Sequence, residues 1–455
     1  MRSQGYSNIL LYAKMAMTSI HVKEAVLVSP SEPTPVQVLP LSALDSQPFL
    51  RFTIEYLLVY KTAGAAVDRA ATAARVKDAL GRALVPYYPL AGRVRARPDG
   101  AGLEVTCRGQ GAVFIEAASE LTAAEFERAP RCGAQWRMLL SLYVVDVLKG
   151  APPLVVQLTW LSDNAATLAV GFNHCLCDGI GSAEFLNFLA ELAAGKRRPG
   201  AELKQKPVWD RHILNPANFR QRRSNSVSHH PEFNRVADVS NFDSRFSQER
   251  LTPTSVEFDR RKLTELKKLV QLAGKLADPP CTSFEVLSAH VWRSWARALN
   301  LPQTQTLKLL FSVNVRHRVK PSLPGGYYGN AFVLGCAQAT VKDLSEKGLS
   351  YATELVKRAK ERVDEEYVRE VVESVSSTRA CPDSVGVLIM SQWSRLGLER
   401  VDFGLGRPVE VGPVICDRYC ILLPVYDSRD AVKVNVAVPA SAVDQYLYLL
   451  RNTCP

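Results

Sequence analysis

Hydrophobic and polar positions recur in short blocks that predict both strands and helices in the first part of the chain. Residues 53–60 are β-branched and aromatic, which is typical of a strand. Apolar residues near helical spacing predict a helix over residues 66–84 that ends before Pro86. Further strands are predicted at residues 103–107, 139–147, 154–161 and 167–173. Because strands and helices mix from the outset, the pattern indicates an α/β fold.

The periodic pattern fades in the middle of the chain and then resumes. The stretch from Phe219 to Pro231 is polar and basic and offers no packing face, whereas helical spacing returns after Phe258. A chain of 455 residues also exceeds the size at which a single core usually stops growing, so two similar-sized domains are expected. The predicted division is a dispensable extension at 1–17, an N-terminal domain at 18–195, a basic interdomain linker at 196–246 and a C-terminal domain at 247–455.

Charge narrows the classes of partner. The chain carries 56 basic and 45 acidic residues, and this net charge of +11 suggests a polyanionic partner. Nucleic acid is disfavoured because the chain has no zinc-finger spacing, no RNP-like segment and no aromatic-flanked basic repeat. Anionic lipid and a phosphorylated small molecule remain. Because no run of about 18 apolar residues occurs, no membrane span is predicted.

Cysteine usage indicates a reducing compartment. The ten cysteines are scattered and lack the density of a disulfide framework, so a cytoplasmic location is expected. No heptad run argues for assembly, and a monomer is expected.

The most informative segment runs from Leu168 to Gly195. An apolar strand ends at His174, and a helix with one apolar face follows as far as Gly195. An imidazole with an ordinary pKa near 6.5, mounted where a buried strand ends, suits a general base. Asp178, four residues further on, could orient the ring or hold the turn through an arginine. By itself the H-x-x-x-D-G pattern does not separate a catalytic histidine from a structural one.

Two other chemistries fit this segment less well. A zinc site would use His174, Cys175, Cys177 and Asp178, but alternation along an extended segment sends His174 away from both cysteines. No second ligand cluster with metal spacing is present, so no metal is expected. A serine hydrolase is disfavoured because the chain has no G-x-S-x-G elbow.

Six segments in a fixed order carry a resemblance to a known family. They are Val26-Leu-Val-Ser-Pro-Ser-Glu-Pro-Thr-Pro35, Leu84-Val-Pro-Tyr-Tyr-Pro-Leu-Ala-Gly-Arg-Val94, His174 to Gly179, Ser283-Phe-Glu-Val-Leu-Ser-Ala-His-Val-Trp-Arg293, Asn314-Val-Arg-His-Arg318 with Gly326-Tyr-Tyr-Gly-Asn330, and Val401-Asp-Phe-Gly-Leu-Gly-Arg-Pro408. On these segments the chain resembles the plant BAHD acyltransferases over nearly its whole length. One departure is Leu405, which stands where the family motif has tryptophan, so an altered packing of that loop is expected.

The resemblance implies a fold and a mechanism. It implies two similar-sized mixed-sheet domains of the chloramphenicol-acetyltransferase-like type, with a channel at their interface. It also implies that a segment near 370–400 pairs with the first domain. Acyl-CoA would enter from one end as co-substrate and the acceptor from the other, without a metal, a permanently bound cofactor or a covalent intermediate. His174 would be the base, and Asp178 would pair with Arg316 or Arg318.

The resemblance also implies supporting residues. Gly179 in the first motif, and Asp402, Gly404 and Gly406 in the last, would be structural. CoA phosphates need cations or helix N-termini, for which Lys275, Thr282 and Ser283 are candidates, although capping or a solvated surface explains them as well. Trp393 is a candidate for the acceptor pocket, with core packing as the alternative.

The function implied is acyl transfer from a CoA thioester to a hydroxyl group, less favourably an amine, of a plant metabolite or lipid alcohol. The alternative is a non-catalytic relative of the same fold that binds CoA or a metabolite and has a regulatory role.

Overall fold

The computed structural model describes residues 20–62, 67–128, 134–142, 146–196, 205–218, 230–272 and 280–452. The strands are β1 (Ile20–Val28), β2 (Gln37–Pro40), β3 (Thr53–Tyr60), β4 (Arg93–Ala96), β5 (Leu103–Cys107), β6 (Ala112–Ser119), β7 (Leu154–Trp160), β8 (Ala166–Asn173), β9 (Leu251–Phe258), β10 (Thr306–Asn314), β11 (Phe332–Thr340), β12 (Val387–Gln392), β13 (Glu410–Pro413), β14 (Cys420–Val425) and β15 (Ser428–Pro439). The α-helices are α1 (Arg69–Ala83), α2 (Ala123–Arg128), α3 (Gly179–Ala193), α4 (Phe242–Gln248), α5 (Arg260–Leu272), α6 (Ser283–Ala298), α7 (Val341–Glu346), α8 (Gly348–Glu361), α9 (Glu365–Ser377) and α10 (Val443–Arg451).

The first large sheet carries its buried centre on β7 and β8. Its order among the described strands is β1-β6-β7-β8-β3-β13, and every residue of β7 and β8 is buried. Continuous apolar strands of this kind are typical of a sheet covered on both faces. The helices α1 and α3 contact each other and share this core. Because β8 ends at Asn173, the chain leaves the sheet at its buried centre. The turn that leads into α3 begins at the next residue, His174.

The second large sheet has the order β11-β10-β12-β14-β15-β9 among the described strands. The helix α6 is buried along most of its length and contacts α8 and α10. A third sheet, with the order β2-β5-β4, lies in the N-terminal half. Two mixed sheets with their own helices and their own cores confirm the predicted α/β fold of two similar bodies.

The strand that crosses from the C-terminal half to the first sheet is β13. It runs antiparallel to β3, with Glu410 opposite Val59 and Pro413 opposite Tyr56. The expectation that a segment near 370–400 pairs with the first domain is therefore wrong in position. In that range β12 pairs in parallel with β10 and β14, because its apolar residues Leu388 and Met390 are buried inside the second sheet.

The strand predicted at 139–147 is wrong for the described part of that range. A 3-10 helix spans Ala134–Leu140, and another spans Val147–Lys149. The backbone of this segment bonds to a side chain instead of to a strand: Ser141 N–H donates to Gln157 Oε1 at 2.7 Å, and Gln157 Nε2 donates to the Met138 carbonyl at 2.9 Å. A short apolar run in the sequence fits a strand and a 3-10 helix equally well, so the pattern does not distinguish the two.

The predicted linker is shorter than expected at its C-terminal end. The boundary drawn between residues 246 and 247 falls inside α4, and Phe242 and Phe246 pack into the second core. Residues 1–17 and 219–229 lie outside the described residues.

Candidate active site

His174 follows directly after β8 and is held at both ends of its backbone. Its N–H donates to the carbonyl of Phe52 at 2.9 Å, and its carbonyl accepts from Asn330 Nδ2 at 2.7 Å. The imidazole lies between two phenyl rings, with ring centroids 5.3 Å from Phe52 and 5.7 Å from Phe332. Phe52 comes from the first half of the chain and Phe332 from β11, so His174 lies where the two bodies meet.

The imidazole of His174 is only partly enclosed. Its Nδ1 is buried, while the residue as a whole keeps some exposed surface. The close packing around the ring makes burial the largest influence, and it lowers the pKa of His174 from its ordinary 6.5, against the opposing effects of its own backbone and of the Asp178 and Asp45 charges. The ring is therefore neutral at pH 7 and able to accept a proton.

Asp178 hydrogen-bonds to its own helix and to the second body, and among the described residues no hydrogen bond joins it to His174. It caps the N-terminus of α3 by accepting from Gly181 N–H at 3.1 Å. Arg316 binds it through two guanidinium nitrogens at 2.8 and 3.1 Å, and Ala331 N–H donates to Oδ2 at 3.1 Å. Both oxygens of this buried carboxylate therefore accept hydrogen bonds from residues of the second body or of its own helix.

The two arginines named for Asp178 have separate roles. Arg316 makes the ion pair, whereas Arg318 donates to the carbonyls of Lys360 and Val363 and so bonds to the end of α8 and the residues after it. Gly179 is the first residue of α3, where a Cβ would lie 3.2 Å from Leu396 Cδ1. The small residue therefore lets the 393–401 segment approach the turn.

A second buried network under the turn was not predicted. Asp45 Oδ1 accepts from both the backbone N–H and the Nδ2 of Asn330 at 2.8 Å, and its Oδ2 lies 2.8 Å from Arg211 Nη1. Arg211 also donates to the carbonyl of Leu176, inside the turn, at 2.6 Å. Asp45, Arg211 and Asn330 are at most 1% exposed. Through these contacts the linker and both bodies hold the backbone of the turn.

The local signals for this network were weak. Asn330 belongs to a segment that carries the family resemblance, and this segment was the one available clue. Arg211 lies in a polar, basic stretch that is typical of a solvated linker, and Asp45 has no distinctive spacing.

The two cysteines of the turn are neutral thiols. Cys175 Sγ donates to the Leu50 carbonyl at 3.5 Å, and Cys177 Sγ lies 3.4 Å from Ser182 Oγ. Burial raises the pKa of each thiol to about 12. Because a zinc ligand or nucleophile must be a thiolate, the burial of these side chains disfavours both roles.

The Asp402 loop lies at the far end of α3 from His174. Lys196, just beyond that end, donates to Asp402 Oδ2 at 2.8 Å. With 15 residues, α3 is about 22 Å long, so the loop lies roughly 20 Å from the turn. Burial would raise the pKa of Asp402, but Lys196 and two backbone N–H groups lower it on balance. This loop can therefore act on His174 only through packing.

The glycines of the loop have the backbone conformation that glycine favours. Gly404 and Gly406 have φ of +86° and +90°, and their N–H groups donate to Asp402 Oδ1 at 2.8 and 2.9 Å. Leu405 between them is buried in the first core. At position 405, where the family motif has tryptophan, this chain therefore still places an apolar side chain in the core.

Gly406→Ala is expected to reduce the free energy of unfolding by about 1–2 kcal/mol, because a Cβ disfavours this conformation. No neighbour within 4 Å would clash, so the backbone strain is the whole effect. Urea unfolding measures the loss, with the exposed neighbour Arg407→Ala as the matched control. Equal midpoints for both variants would show that the loop does not require the positive φ.

Of the other predicted residues, Thr282, Ser283 and Trp393 are described and Lys275 is not. Thr282 caps α6 in a reciprocal pair with Glu285, and Ser283 begins that helix. Trp393 is buried with its ring 4.6 Å from Tyr56, in the first core. Lys275 lies outside the described residues. Contact with CoA or with an acceptor stays a prediction for all four.

Comparisons with known proteins agree on one family. Residues 18–446 match the family described as the transferase family. An omega-hydroxypalmitate O-feruloyl transferase of Arabidopsis thaliana is 34% identical over 94% of this chain and 92% of its own length. An alcohol acyl transferase of Malus domestica is 33% identical over 95% and 94%. A 3'-N-debenzoyl-2'-deoxytaxol N-benzoyltransferase of Taxus canadensis is 31% identical over 92% and 93%.

Solved structures share the fold at lower identity. Vinorine synthase aligns with a TM-score of 0.71 at 19% identity, over 95% of this chain and 98% of its own. F. graminearum TRI101 complexed with ethyl coenzyme A aligns with a TM-score of 0.72 at 15% identity, over 90% and 97%. Within the described part of the chain, no helix is both long enough and apolar enough to cross a membrane.

Proposed function

Because the chain belongs to the BAHD transferase family and is an acyltransferase, we propose that it transfers an acyl group from an acyl-CoA to a hydroxyl group, with His174 as the general base. The observation that carries this proposal is the neutral, partly exposed imidazole at the meeting of the two bodies. Relatives named for O-acyl and N-acyl transfer leave both acceptor classes within the family.

A hydroxyl acceptor suits the base better than an amine. An aliphatic amine, with a pKa near that of lysine at about 10, is mostly protonated at pH 7 and must lose a proton before it binds productively. An alcohol arrives neutral and loses its proton only as it attacks, which is the step that general-base catalysis assists.

The proposed reaction proceeds in one ternary complex. Nε2 of His174 accepts the hydroxyl proton while the hydroxyl oxygen attacks the thioester carbonyl and forms a tetrahedral intermediate. As the intermediate collapses, the carbon–sulfur bond breaks, the ester forms and the CoA thiolate leaves. The imidazolium then gives its proton to the thiolate, so the free enzyme is restored.

The proposed role of Asp178 is to position the turn. Its carboxylate is occupied by Arg316, Gly181 and Ala331, which leaves it unsuited to relay protons. The basic surplus of the chain supports binding of the CoA phosphates, for which Lys275, Thr282 and Ser283 are the proposed contacts. The cytoplasm is the proposed location, and a monomer is the proposed working form.

The proposal is tested by thiol release. Purified protein is incubated with pooled acyl-CoAs and a library of alcohols and amines, and mass spectrometry identifies the products. Acceptor-dependent thiol release with a matching ester supports the proposal. Demonstrable CoA binding without turnover over the whole library would instead support the non-catalytic alternative.

The pH dependence of kcat/KM should follow His174. Because burial places its pKa below 6.5, the base is neutral from about pH 7 to pH 8 and kcat/KM should be constant there. As the pH falls through this lowered pKa, the ring becomes protonated, cannot accept a proton, and kcat/KM should decline. The profile is measured with an acceptor that does not titrate. An acid limb that persists unchanged in His174→Ala would contradict the assignment.

A further inference from the structure

An open groove lies between β4, an edge strand of the third sheet among the described strands, and the short 3-10 helix Val147–Lys149. It has a volume of about 400 Å³, which lies within the range of small-molecule sites. The partners of His174, namely Phe52, Asn330 and Phe332, do not line it. The proposed mechanism therefore makes no use of this groove.

Among the described residues that line the groove, three are arginines and none is acidic. Arg93 and Arg95 lie on one face of β4, because successive side chains of a strand alternate. They stand opposite Thr106 and Glu104 of β5, and Arg108 is the first residue after that strand. The pleat of the sheet thus gathers three guanidinium groups at one groove.

The charge around the groove stays positive after its acidic neighbours are counted. Glu104 lies 2.7 Å from Arg95 Nε and neutralises that arginine. Two adjacent pairs of opposite charge cancel, namely Lys149 with Asp146 on the facing turn and Arg97 with Asp99 beyond β4. Among the described residues, no ion pair joins Arg93 or Arg108 to a carboxylate. The positive charges of these two arginines therefore remain for a ligand.

Arg93 is held in place and keeps hydrogen-bond donors that the protein does not use. Its Nη1 donates to the carbonyls of Gly92 and Gly111 at 2.7 and 2.9 Å. Its Nε and Nη2 make no hydrogen bond with the described residues and are not fully buried, so their N–H groups remain for a ligand. Burial is the one cause that shifts the pKa of Arg93, and it lowers that pKa, as expected of a guanidinium without a carboxylate beside it. A guanidinium fixed before binding loses less freedom when it binds an oxyanion.

The rest of the lining is apolar or uncharged. Leu148 is half-buried and lines the groove from the turn, together with Gly150. The aliphatic stems of the arginines offer further apolar surface, and Thr106 and Gln110 add uncharged polar groups. A ligand that fills the groove therefore needs an anionic head and a small apolar body.

We infer that the groove binds a soluble phosphate monoester with a small apolar substituent, at a site separate from His174. Such an ester carries about two negative charges at neutral pH, which match the two unpaired arginines. Its oxygens accept paired N–H bonds from guanidinium groups, so it suits this lining better than a singly charged carboxylate does. A concave site of this volume encloses a free ester, whereas a membrane presents its headgroups as a broad surface. This binding does not depend on acyl transfer.

Calorimetry with phenyl phosphate tests this binding. At about pH 7.5 the probe is a dianion, and it should bind the full chain saturably, with an affinity that falls as salt is added. Phenyl sulfate, which has one charge fewer, should bind more weakly, and phenol should give no measurable heat. The absence of saturable binding of phenyl phosphate would overturn the inference, even if vesicles of phosphatidylcholine and phosphatidic acid bind the protein.

Arg108→Gln should weaken the affinity for phenyl phosphate about 10-fold, since a hydrogen bond between charged groups is lost. The variant should fold, because Arg108 is exposed and has no hydrogen bond or ion pair among the described residues. Arg407→Gln is the matched control: it removes one charge from an exposed position of the Asp402 loop and should keep the affinity within about twofold. Equal affinities in these two variants would show that the groove is not the binding site.

The affinity for CoA distinguishes this groove from the CoA site. Calorimetry with CoA alone should give the same affinity for the unmodified protein and Arg108→Gln. A CoA affinity that falls in Arg108→Gln would overturn the inference, because the groove would then belong to the CoA site. These measurements need no turnover, so a protein that acylates nothing contradicts the proposed function and leaves the result for phenyl phosphate standing.

Discussion

Replacement of His174 by alanine is expected to lower kcat about 10²- to 10⁴-fold, the usual contribution of a general base. The backbone bonds of His174 to Phe52 and Asn330 do not involve the imidazole, so the turn should keep its shape. The remaining rate would come from holding the acyl-CoA and the acceptor together. Steady-state kinetics with one acyl-CoA and its best acceptor measure the loss.

The control for this variant is His21→Ala, on the exposed edge strand β1. It should keep the full kcat, and both variants should unfold close to the denaturant concentration of the unmodified protein. A His174→Ala protein that is folded and as active as His21→Ala would remove His174 from the mechanism.

Asp178→Ala is expected to reduce the free energy of unfolding by about 3–5 kcal/mol, because it leaves the largely buried Arg316 cation without its partner. The change also removes the cap of α3 and the acceptor for Ala331 N–H. As the turn loosens, His174 loses its fixed position and kcat should fall as well. Denaturant unfolding and kinetics on the same samples measure both effects.

Two further variants separate the ion pair from the cap. Asp178→Asn keeps a cap acceptor and loses the charge, so it should be more stable than Asp178→Ala. Combining Asp178→Ala with Arg316→Met removes both charges, and this double variant should lose less than the sum of the two single losses. Strict additivity would contradict a coupling between Asp178 and Arg316 across the two bodies.

Local signals were sufficient for the elements that lead to the site. The apolar run predicts β8 and the glycine after α3 predicts where that helix ends, and both signals lie within short stretches of sequence. The prediction of both elements is confirmed. The strand β13 has four residues, including Gly412 and Pro413, and shows no period of two. Its pairing with β3 is decided by distant residues, so no local pattern could place it.

The residues of the candidate active site likewise include some that could be predicted from the sequence and some that could not. His174, Asp178 and Arg316 could be named because they lie in motifs whose order along the chain is distinctive. Arg211 could not, because it comes from a polar connection whose composition predicts solvated surface, and only the fold buries it against Asp45 and Leu176. Burial of a charged side chain depends on which partners the fold supplies, and the partners of Arg211 are distant in sequence.

The proposed mechanism transfers the acyl group directly from CoA to the acceptor, with no acyl group held by the protein. It is tested most directly by incubating the purified protein with acyl-CoA, with and without acceptor, and measuring thiol, acylated product and intact-protein mass together. The expected result is that thiol and ester appear in equal amounts only when the acceptor is present, while the protein mass stays unchanged. Thiol release without acceptor, together with a protein heavier by one acyl group, would contradict direct transfer.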